Sequence, residues 1–288
     1  MKYGVKPKYL RQSLAKHFSS TWFKCPNCGG KRAEVVDRKA FVTSLRRCFQ
    51  CKLLFRTPTT SEAENARYYQ QEYDQGFTTQ IPSESRLKEL TATEFKGSAK
   101  DYSGYLTVLA GLGCTPGQRI LDFGCSWGYG AWQLQRAGYE VQGYEISKPR
   151  CSFARSALSV DATDDIAALS PPFDCFFSAH VLEHVPSIRD VIELSQRTVR
   201  IGGLFVAFTP NGSEINRRRN PVGWHRRWGF VHPQLLDEHF VQRNVVTEPY
   251  LIASNPVAIE RLAAWDQRSS IQLPLEGDEL LIVFRRSN

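Results

Sequence analysis

The sequence contains no long apolar run. Its longest uninterrupted apolar stretches, such as residues 204–208 and 280–284, are far shorter than the roughly 20 residues that a membrane-spanning helix requires. The first residues also lack an apolar segment followed by a small-residue cleavage site, which argues against a secretory signal. Low-complexity tracts and internal repeats are missing too, and 42% hydrophobic with 23% charged residues is typical of a globular protein. We therefore expect a folded cytoplasmic protein without a membrane span.

Acidic residues are absent from one end of the chain. Between Lys2 and Arg32 there are eight basic residues and no acid, in a chain of net charge +8. We interpret residues 1–22 as a basic arm with a short helix around residues 9–18. A second basic run comprises Arg217, Arg218, Arg219, Arg226 and Arg227. Basic clusters bind phosphates, nucleic acids or anionic membrane surfaces, although a solvated face is the commoner explanation.

Half of the eight cysteines occur as two CxxC pairs. Nineteen residues separate the first pair, Cys25 and Cys28, from the second pair, Cys48 and Cys51. This spacing is typical of a four-cysteine zinc site, in which the thiolates complete a closed tetrahedron with no open position for catalysis. A module of under about 40 residues rarely buries enough surface to fold alone, so the metal would stabilise it. The sequence therefore predicts a structural zinc ribbon over residues 23–58.

The remaining chain changes character at about residue 100. Residues 59–100 are polar, and we predict a helical connector there. From residue 101 to 288, short apolar strands alternate with helical patterns, which indicates a doubly wound α/β sheet. The predicted strands are 119–123, 140–145, one near Val160, 174–179, 204–208 and 280–285, with the last at an edge of the sheet. The predicted helices begin near Gly128 and cover residues 148–158 and 187–200, and an insertion follows over residues 211–235.

The loop after the first predicted strand has the pattern of a nucleoside-binding site. Asp122 lies near the end of the apolar strand, and a turn of small residues and a helix start follow it. Glycines let a ligand approach the backbone, while free amides at a helix N-terminus favour an anionic group such as a carboxylate. Glu145 ends the second predicted strand, where its carboxylate can accept hydrogen bonds from both ribose hydroxyls. Together these features predict one nucleoside cofactor.

These residues resemble the class I methyltransferases that use S-adenosylmethionine, whose first strand and loop read LDxGCGxG and here read LDFGCSWG. The resemblance continues through FD at 173–174, HVLEHV at 180–185, RIGGL at 200–204 and TPN at 209–211, and covers about residues 100–211. It looks most like the branch of ubiquinone-type O-methyltransferases and polysaccharide-cluster methyltransferases. It implies a Rossmann-like methyltransferase domain over 101–288. The cofactor-binding residues that it implies are Asp122, Gly124, Cys125, Ser126, Trp127, Gly128, Glu145 and Ala179.

Two other interpretations of the loop compete with this one. Ser126 replaces the middle glycine of the motif, which suggests a reshaped methionine pocket and leaves open a protein that binds S-adenosylmethionine without turnover. A nicotinamide-binding domain also has a glycine turn and a ribose-binding acid. Its pattern is G-x-G-x-x-G without an acid in the strand, whereas Asp122 would repel a pyrophosphate and suits a cationic amino-acid ligand. The methyltransferase interpretation is therefore favoured.

Methyl transfer from a sulfonium requires alignment of the nucleophile with the methyl group, and hydroxyl or carbon nucleophiles must also lose a proton. Histidine suits the role of the base near neutral pH. The candidates are His184, ranked first, then His180, both next to the fourth strand, and His232 in the insertion. The order H-x-x-E-H from His180 to His184 also matches a zinc-peptidase pattern, which we discount because it follows a strand end. A weaker alternative is a divalent ion held by His180, Glu183 and His184.

The acceptor is predicted from the insertion. Trp224, Trp228 and Phe230 among arginines suggest either stacking on a sugar or base, with arginines holding a phosphate, or a packed lid. From the resemblance we favour a hydroxylated small molecule or glycan precursor, with an anionic part. Nucleic acid, bound with the help of the basic arm and zinc ribbon, is the alternative acceptor.

Overall fold

The computed structural model describes residues 13–61, 63–64, 80–245 and 247–287. Residues 1–12 of the predicted basic arm lie outside the described residues, as does the start of the helix predicted around residues 9–18. Much of the predicted helical connector, residues 62 and 65–79, is also outside them. What is described of the connector includes helix α1 (Glu84–Ala92), which Ser83 caps through its side chain.

The described strands form two sheets. The small sheet is antiparallel and has the order β1-β2-β3-β9. Its strands are β1 (Ala33–Lys39), β2 (Thr43–Cys48), β3 (Leu54–Thr57) and β9 (Gln234–Leu235). The large sheet has the order β11-β10-β12-β8-β7-β4-β5-β6. Its strands are β4 (Arg119–Phe123), β5 (Glu140–Tyr144), β6 (Asp161–Thr163), β7 (Phe173–Ala179), β8 (Val199–Pro210), β10 (Tyr250–Asn255), β11 (Ile271–Gln272) and β12 (Glu279–Arg285).

Helices lie between the strands of the large sheet and around the insertion. They are α2 (Ser103–Gly111), α3 (Tyr129–Arg136), α4 (Lys148–Leu158), α5 (Ile188–Thr198), α6 (Glu214–Arg219), α7 (Pro221–Arg227), α8 (Glu238–Asn244) and α9 (Ile259–Ala263). The periodicity of the sequence predicted α5 well, because Ile188 and Val191 face the core and Ser187 caps the first turn through Asp190 N.

Both faces of the large sheet are buried, as the doubly wound prediction requires. Successive residues of a strand point to opposite faces, and neighbours in β4 accordingly join different cores: Ile120 one and Leu121 the other. Helices α2, α3 and α4 cover the first face, while α5 and α8 cover the second. Strands β4 to β8 pair in parallel, and β12 pairs antiparallel with β8. The predicted α/β fold class is confirmed.

One detail of the sheet prediction was wrong. The closing strand β12 was expected at an edge, but it lies between β8 and β10. Strand β10 was not predicted: it lies after the insertion, and its apolar run of residues 251–253 is short. The outermost strand beyond it is β11, which pairs with β10 over Leu251–Ile271 and Ile252–Gln272.

The cysteine ribbon (residues 23–58) packs against the large sheet and shares its second core. Leu53 and Phe55 of the ribbon are fully buried in the same cluster as Phe176 and Phe205 of the sheet. Burying one such side chain contributes about 1.5–3 kcal/mol, so these contacts bind the two parts firmly. Strand β3 also pairs with β9 of the insertion, and Arg56 N donates to Pro233 O at 2.7 Å. The ribbon thus forms part of the layer that covers the sheet.

Candidate active site

The loop between β4 and α3 has the backbone conformation that close ligand approach requires. Gly124 and Gly128 have φ of +82° and +90°, in the left-handed region that glycine adopts easily. A Cβ on Gly124 would lie 2.3 Å from Val181 Cγ2, and one on Gly128 would lie 2.8 Å from Ala154 Cβ. These two positions therefore accept glycine alone. The loop also ends at the carboxyl edge of the sheet, where ligands of α/β proteins bind.

Ser126 takes the left-handed conformation of the glycine that it replaces. Its φ is +53°, and its backbone N donates to Glu145 Oε2 at 2.9 Å. A non-glycine residue in this region costs about 1–2 kcal/mol, which the hydrogen bond to a carboxylate offsets. The turn of the loop is thus kept despite the serine.

Glu145 joins the loop to the end of the second strand. Its carboxylate is 6% exposed and accepts hydrogen bonds from Ser126 N at 2.9 Å and Ser147 N at 2.8 Å. Burial raises the pKa of Glu145, and these two backbone donors oppose the shift. A carboxylate has about four acceptor positions, so two remain for ribose hydroxyls.

Asp122 is buried beneath the same loop at 1% exposure. Its Oδ2 has no hydrogen-bond partner among the residues that the structure describes. Burial raises the pKa of Asp122 to about 7, the nearby charge of Glu145 adds to the rise, and the backbone N–H of Ala131 opposes it. An unsatisfied buried carboxylate destabilises the ligand-free protein, and a cationic ligand would compensate it. The glycine cradle and this orphaned oxygen together fit a nucleoside that carries a positively charged amino acid.

The other implied cofactor residues differ in what their side chains can touch. The side chain of Trp127 is fully buried and packs against Phe95 and Tyr129, so only its backbone faces the loop. Cys125 is 3% exposed, and its Sγ lies against Gly143 of β5, which has no room for a Cβ. Ala179 ends β7 and is half-buried.

His180 follows Ala179 with a left-handed backbone, φ +56°. Its Nε2 lies 2.6 Å from Glu279 Oε1, and its Nδ1 lies 3.4 Å from Glu183 Oε1. Burial lowers the pKa of His180, but these two carboxylates outweigh it and raise the value to about 10. At neutral pH this histidine is a cation, which makes it a poor proton acceptor.

His184 and His232 lie side by side with Glu183. Their ring centroids are 4.8 Å apart, and one ligand atom from each of the three residues lies within 4.8 Å of the others. Burial lowers the pKa of His184 to about 4, while Glu183 opposes the shift. Burial alone would raise the pKa of Glu183, but His180 and the other histidines hold it at about 2. We call these three residues the histidine cluster.

The four cysteines predicted to bind metal also converge. Cys25 Sγ lies 3.5 Å from Cys51 Sγ, and Cys28 Sγ lies 3.5 Å from Cys48 Sγ. All four sulfur atoms lie within 4.8 Å of one another. Four thiolates at about 2.3 Å from one ion form such a tetrahedron, so the geometry suits a closed metal site.

The segment over residues 211–235, called the lid segment below, packs on the cysteine ribbon. Trp224 and Trp228 are 2% and 1% exposed in a cluster with Leu45 of β2. Asp37 of β1 accepts hydrogen bonds from His225 Nδ1 at 2.6 Å and Trp228 Nε1 at 2.8 Å. Of the two alternatives that the sequence left open for these tryptophans, the structure therefore has the packed arrangement.

Two residues of the site were not predicted from the sequence. Glu279, at the start of β12, accepts hydrogen bonds from His180, from Tyr105 Oη at 2.8 Å and from Asn255 Nδ2 at 2.7 Å. The sequence placed Glu279 only at the boundary of a strand. Glu279 reaches the carboxyl edge next to His180 because β12 lies beside β8. Asn255 was missed because β10 was missed.

Comparisons with known proteins agree with this geometry. Residues 66–244 match the family model described as a methyltransferase domain. The ubiquinone biosynthesis O-methyltransferase of Alkalilimnicola ehrlichii is 31% identical over 147 residues, which cover 44% of this chain and 60% of that protein. The enzyme of the same name from Burkholderia cenocepacia is 30% identical over 159 residues, covering 46% and 68%. This chain thus spans about 60% of the length of the first curated relatives that it matches.

The solved structure of the geranyl diphosphate C-methyltransferase of Streptomyces coelicolor matches with a TM-score of 0.47 and 15% identity, over 78% of this chain and 97% of that one. Among the helices of the described ranges, none is both long and apolar enough to cross a bilayer. The family match covers more than half of the chain, and the acidic strand end, the glycine loop and Glu145 occupy the places that the motifs predicted. This chain therefore belongs to the methyltransferase domain family.

Proposed function

We propose that the protein transfers a methyl group from S-adenosylmethionine to a hydroxyl group of a small anionic acceptor, such as a sugar or glycan precursor. The observation that carries this proposal is the loop at the carboxyl edge of β4. It combines two glycines that admit no side chain, a buried carboxylate at Asp122 with one unpaired oxygen among the described residues, and a second buried carboxylate at Glu145. S-adenosylmethionine has matching groups: a cationic amino acid and sulfonium, and a ribose with two hydroxyls.

The cofactor would be held by residues with separate tasks. Asp122 offers negative charge beneath the loop, and Glu145 offers its remaining acceptor positions to the ribose hydroxyls. Gly124 and Gly128 let the backbone approach the ligand. When bound, S-adenosylmethionine supplies the reactive methyl group on a sulfonium. Ser126 was the residue that left open a binding protein without turnover, and its left-handed backbone keeps the loop conformation. That conformation favours the enzyme over the non-catalytic alternative.

The acceptor would bind at the end of β7, between the loop and the lid segment. His180 directly follows β7, and His184 Nδ1 donates to Val231 O of the lid segment at 2.7 Å. This contact places the lid segment over the part of the site that holds His180 and His184. A segment in this position can exclude water from the transferred methyl group and hold the acceptor near it.

Charged side chains beside this end favour an anionic acceptor. A cleft of about 850 Å³ is lined by Arg219 and Arg261, together with Glu276 and Asp278. Arg226 of the lid segment is exposed. Other arginines of the basic run are already engaged: Arg217 donates to Val36 O at 3.1 Å, and Arg227 pairs with Asp278. Arg219, Arg226 and Arg261 are therefore the arginines that we propose for the acceptor.

The relatives support a hydroxyl as the nucleophile, because their names describe O-methyltransferases. We further propose that the four-cysteine site binds one structural Zn²⁺, since four converging thiolates suit that ion and leave no open position for catalysis. The ribbon would then stabilise the layer on which the lid segment rests.

Incubation with methyl-tritiated S-adenosylmethionine tests the function. Acceptor pools should include nucleotide sugars, hydroxylated aromatic acids and RNA, each with and without the protein. We expect transfer to an anionic hydroxylated small molecule, and loss of that transfer in Asp122→Asn. The exposed residue Asp161 of β6 provides the control variant Asp161→Asn, which should keep activity. Transfer to RNA alone would favour the nucleic-acid alternative and overturn the proposed acceptor class.

A further inference from the structure

The histidine cluster has the arrangement of a metal site. Glu183, His184 and His232 come from two distant parts of the chain, the turn after β7 and the lid segment. One ligand atom from each lies within 4.8 Å of the other two, and His184 Nε2 lies 3.8 Å from Glu183 Oε1. Two imidazoles and one carboxylate on one side of an ion are a common ligand set for divalent transition metals that keep open positions.

The orientation of both rings is fixed by the backbone. His184 Nδ1 donates to Val231 O at 2.7 Å, and His232 Nδ1 donates to Arg227 O at 2.7 Å. In metal sites, a histidine ligand usually donates its other ring nitrogen to a carbonyl or carboxylate, which selects the tautomer and aims the ligating nitrogen. With both Nδ1 atoms donating in this way, Nε2 is the nitrogen of each ring that would bind a metal.

The carboxylate of Glu183 is also held in one orientation. Its side chain is fully buried, and Thr209 Oγ1 donates to Oε2 at 3.0 Å. The other oxygen, Oε1, is not hydrogen-bonded within the described residues, and it lies 3.4 Å from His180 Nδ1 and 3.8 Å from His184 Nε2. A cation between Oε1 and the rings of His184 and His232 would stabilise this buried charge in addition to His180. A cavity of about 30 Å³ borders His184 and reaches the ribbon at Arg56 and Thr59.

We propose that Glu183, His184 and His232 bind one divalent transition-metal ion, with Zn²⁺ as the ion that suits this ligand set, in a site separate from the four cysteines. The third ligand differs from the one that the sequence suggested. His180 was the third ligand in the weaker alternative that the sequence left open, but its Nε2 lies 2.6 Å from Glu279 Oε1, and His232 of the lid segment joins Glu183 and His184 instead.

The role of this ion rests on the proposed function, although its binding does not. Three protein ligands leave an open position at which an acceptor hydroxyl can coordinate. The ion acts as a Lewis acid and lowers the pKa of that hydroxyl, which loses its proton to solvent water. The oxygen then forms the new C–O bond while the C–S bond of the sulfonium breaks, with its electron pair going to sulfur. His184 and His232 are thus ligands in this account, and no side chain has to be the base.

Metal content tests the proposal without substrate. The protein is saturated with Zn²⁺, desalted and analysed for zinc per chain, with neither S-adenosylmethionine nor acceptor present. We expect two zinc ions in the natural protein, one in His232→Ala and one in the double variant Cys25→Ser with Cys48→Ser. The control is His239→Ala, an exposed histidine of α8 beside Glu238, which should keep two. Calorimetric affinity for S-adenosylmethionine shows whether each variant is folded.

A second measurement uses the natural protein, and it tests the proposal even if a variant fails to fold. Natural protein whose cysteine site is filled with zinc is titrated with Co²⁺ and followed by its visible absorption. We expect one cobalt per chain with d–d bands and without thiolate charge-transfer bands, because the ligands are nitrogen and oxygen. One zinc per chain in the natural protein, two in folded His232→Ala, or no cobalt uptake would overturn the proposal. Two zinc ions without any methyl transfer would keep the metal site and refute the proposed function instead.

Discussion

Replacement of Glu145 by glutamine is the sharpest test of the cofactor site. The carboxylate receives Ser126 N at 2.9 Å and Ser147 N at 2.8 Å, and we propose that it also receives the ribose hydroxyls. Glutamine has the same shape but only one acceptor oxygen, so its NH₂ group must face one of the two backbone donors. The variant therefore loses the charge and at least one hydrogen bond at the ligand.

The expected loss of cofactor affinity follows from the strength of hydrogen bonds to a charged group. Hydrogen bonds to charged groups contribute about 1.5–3 kcal/mol, and 1.4 kcal/mol is tenfold in affinity. We expect Glu145→Gln to weaken S-adenosylmethionine binding by about ten- to a hundredfold in isothermal titration calorimetry. The alanine variant should lose about as much. Glu140→Gln is a matched control, because Glu140 begins the same strand and its side chain is 68% exposed.

Thermal unfolding of the ligand-free variants separates binding from stability. Glu145 also holds the loop together, so Glu145→Gln should lower the midpoint slightly, whereas Glu140→Gln should not. A variant that unfolds at a lower temperature yet binds the cofactor as tightly as the natural protein would refute the ribose role. In that case the carboxylate would be a structural part of the loop only.

Three further outcomes follow from the same site. Burial raises the pKa of Asp122 to about 7, so the ligand-free protein should lose stability as the pH rises from about 4 to about 7. Affinity for the cationic cofactor should rise with pH until Asp122 is ionised. In the variant Asp122→Asn, calorimetry should show neither pH dependence. Cys48→Ser should lose the ribbon zinc and lower the melting midpoint of the sheet with which it shares a core, while Cys114→Ser, a buried cysteine elsewhere, should keep the zinc. Arg226→Ala should raise the Michaelis constant of an anionic acceptor several-fold at low salt and less at high salt, with cofactor affinity unchanged. Arg218→Ala should have little effect, because Arg218 is already paired with Glu214. Equal effects of both variants would contradict the acceptor role.

The parts of the structure that the sequence predicted depend on local patterns. Strand β4 and helix α4 have the predicted bounds, because apolar runs and helical periodicity are properties of neighbouring residues. The glycine loop and the CxxC pairs were found for the same reason: their spacing along the chain already sets their geometry. Even Ser126 fits this rule, since its left-handed backbone is what the motif requires at that position.

The parts that could not be predicted depend on pairing between distant segments. Strand β9 has two residues, and nothing in its sequence shows that it joins the ribbon strand β3. That pairing brings His232 towards His184 and places Val231 O on the His184 ring. Likewise, the sequence left open whether Trp224 stacks on a ligand or packs in a lid, and only its contact with the ribbon shows that it is packed. Contacts of this kind are set by the packing of the whole chain, and no periodicity in the sequence records them.

Titration of the purified protein with S-adenosylhomocysteine and with NAD tests the central claim most directly. Both ligands contain an adenosine, so the experiment asks which group the loop accepts beyond the ribose. The account predicts saturable binding of one S-adenosylhomocysteine per chain and no binding of NAD, because Asp122 disfavours a pyrophosphate and suits a cationic amino acid. Binding of NAD without binding of S-adenosylhomocysteine would contradict the account.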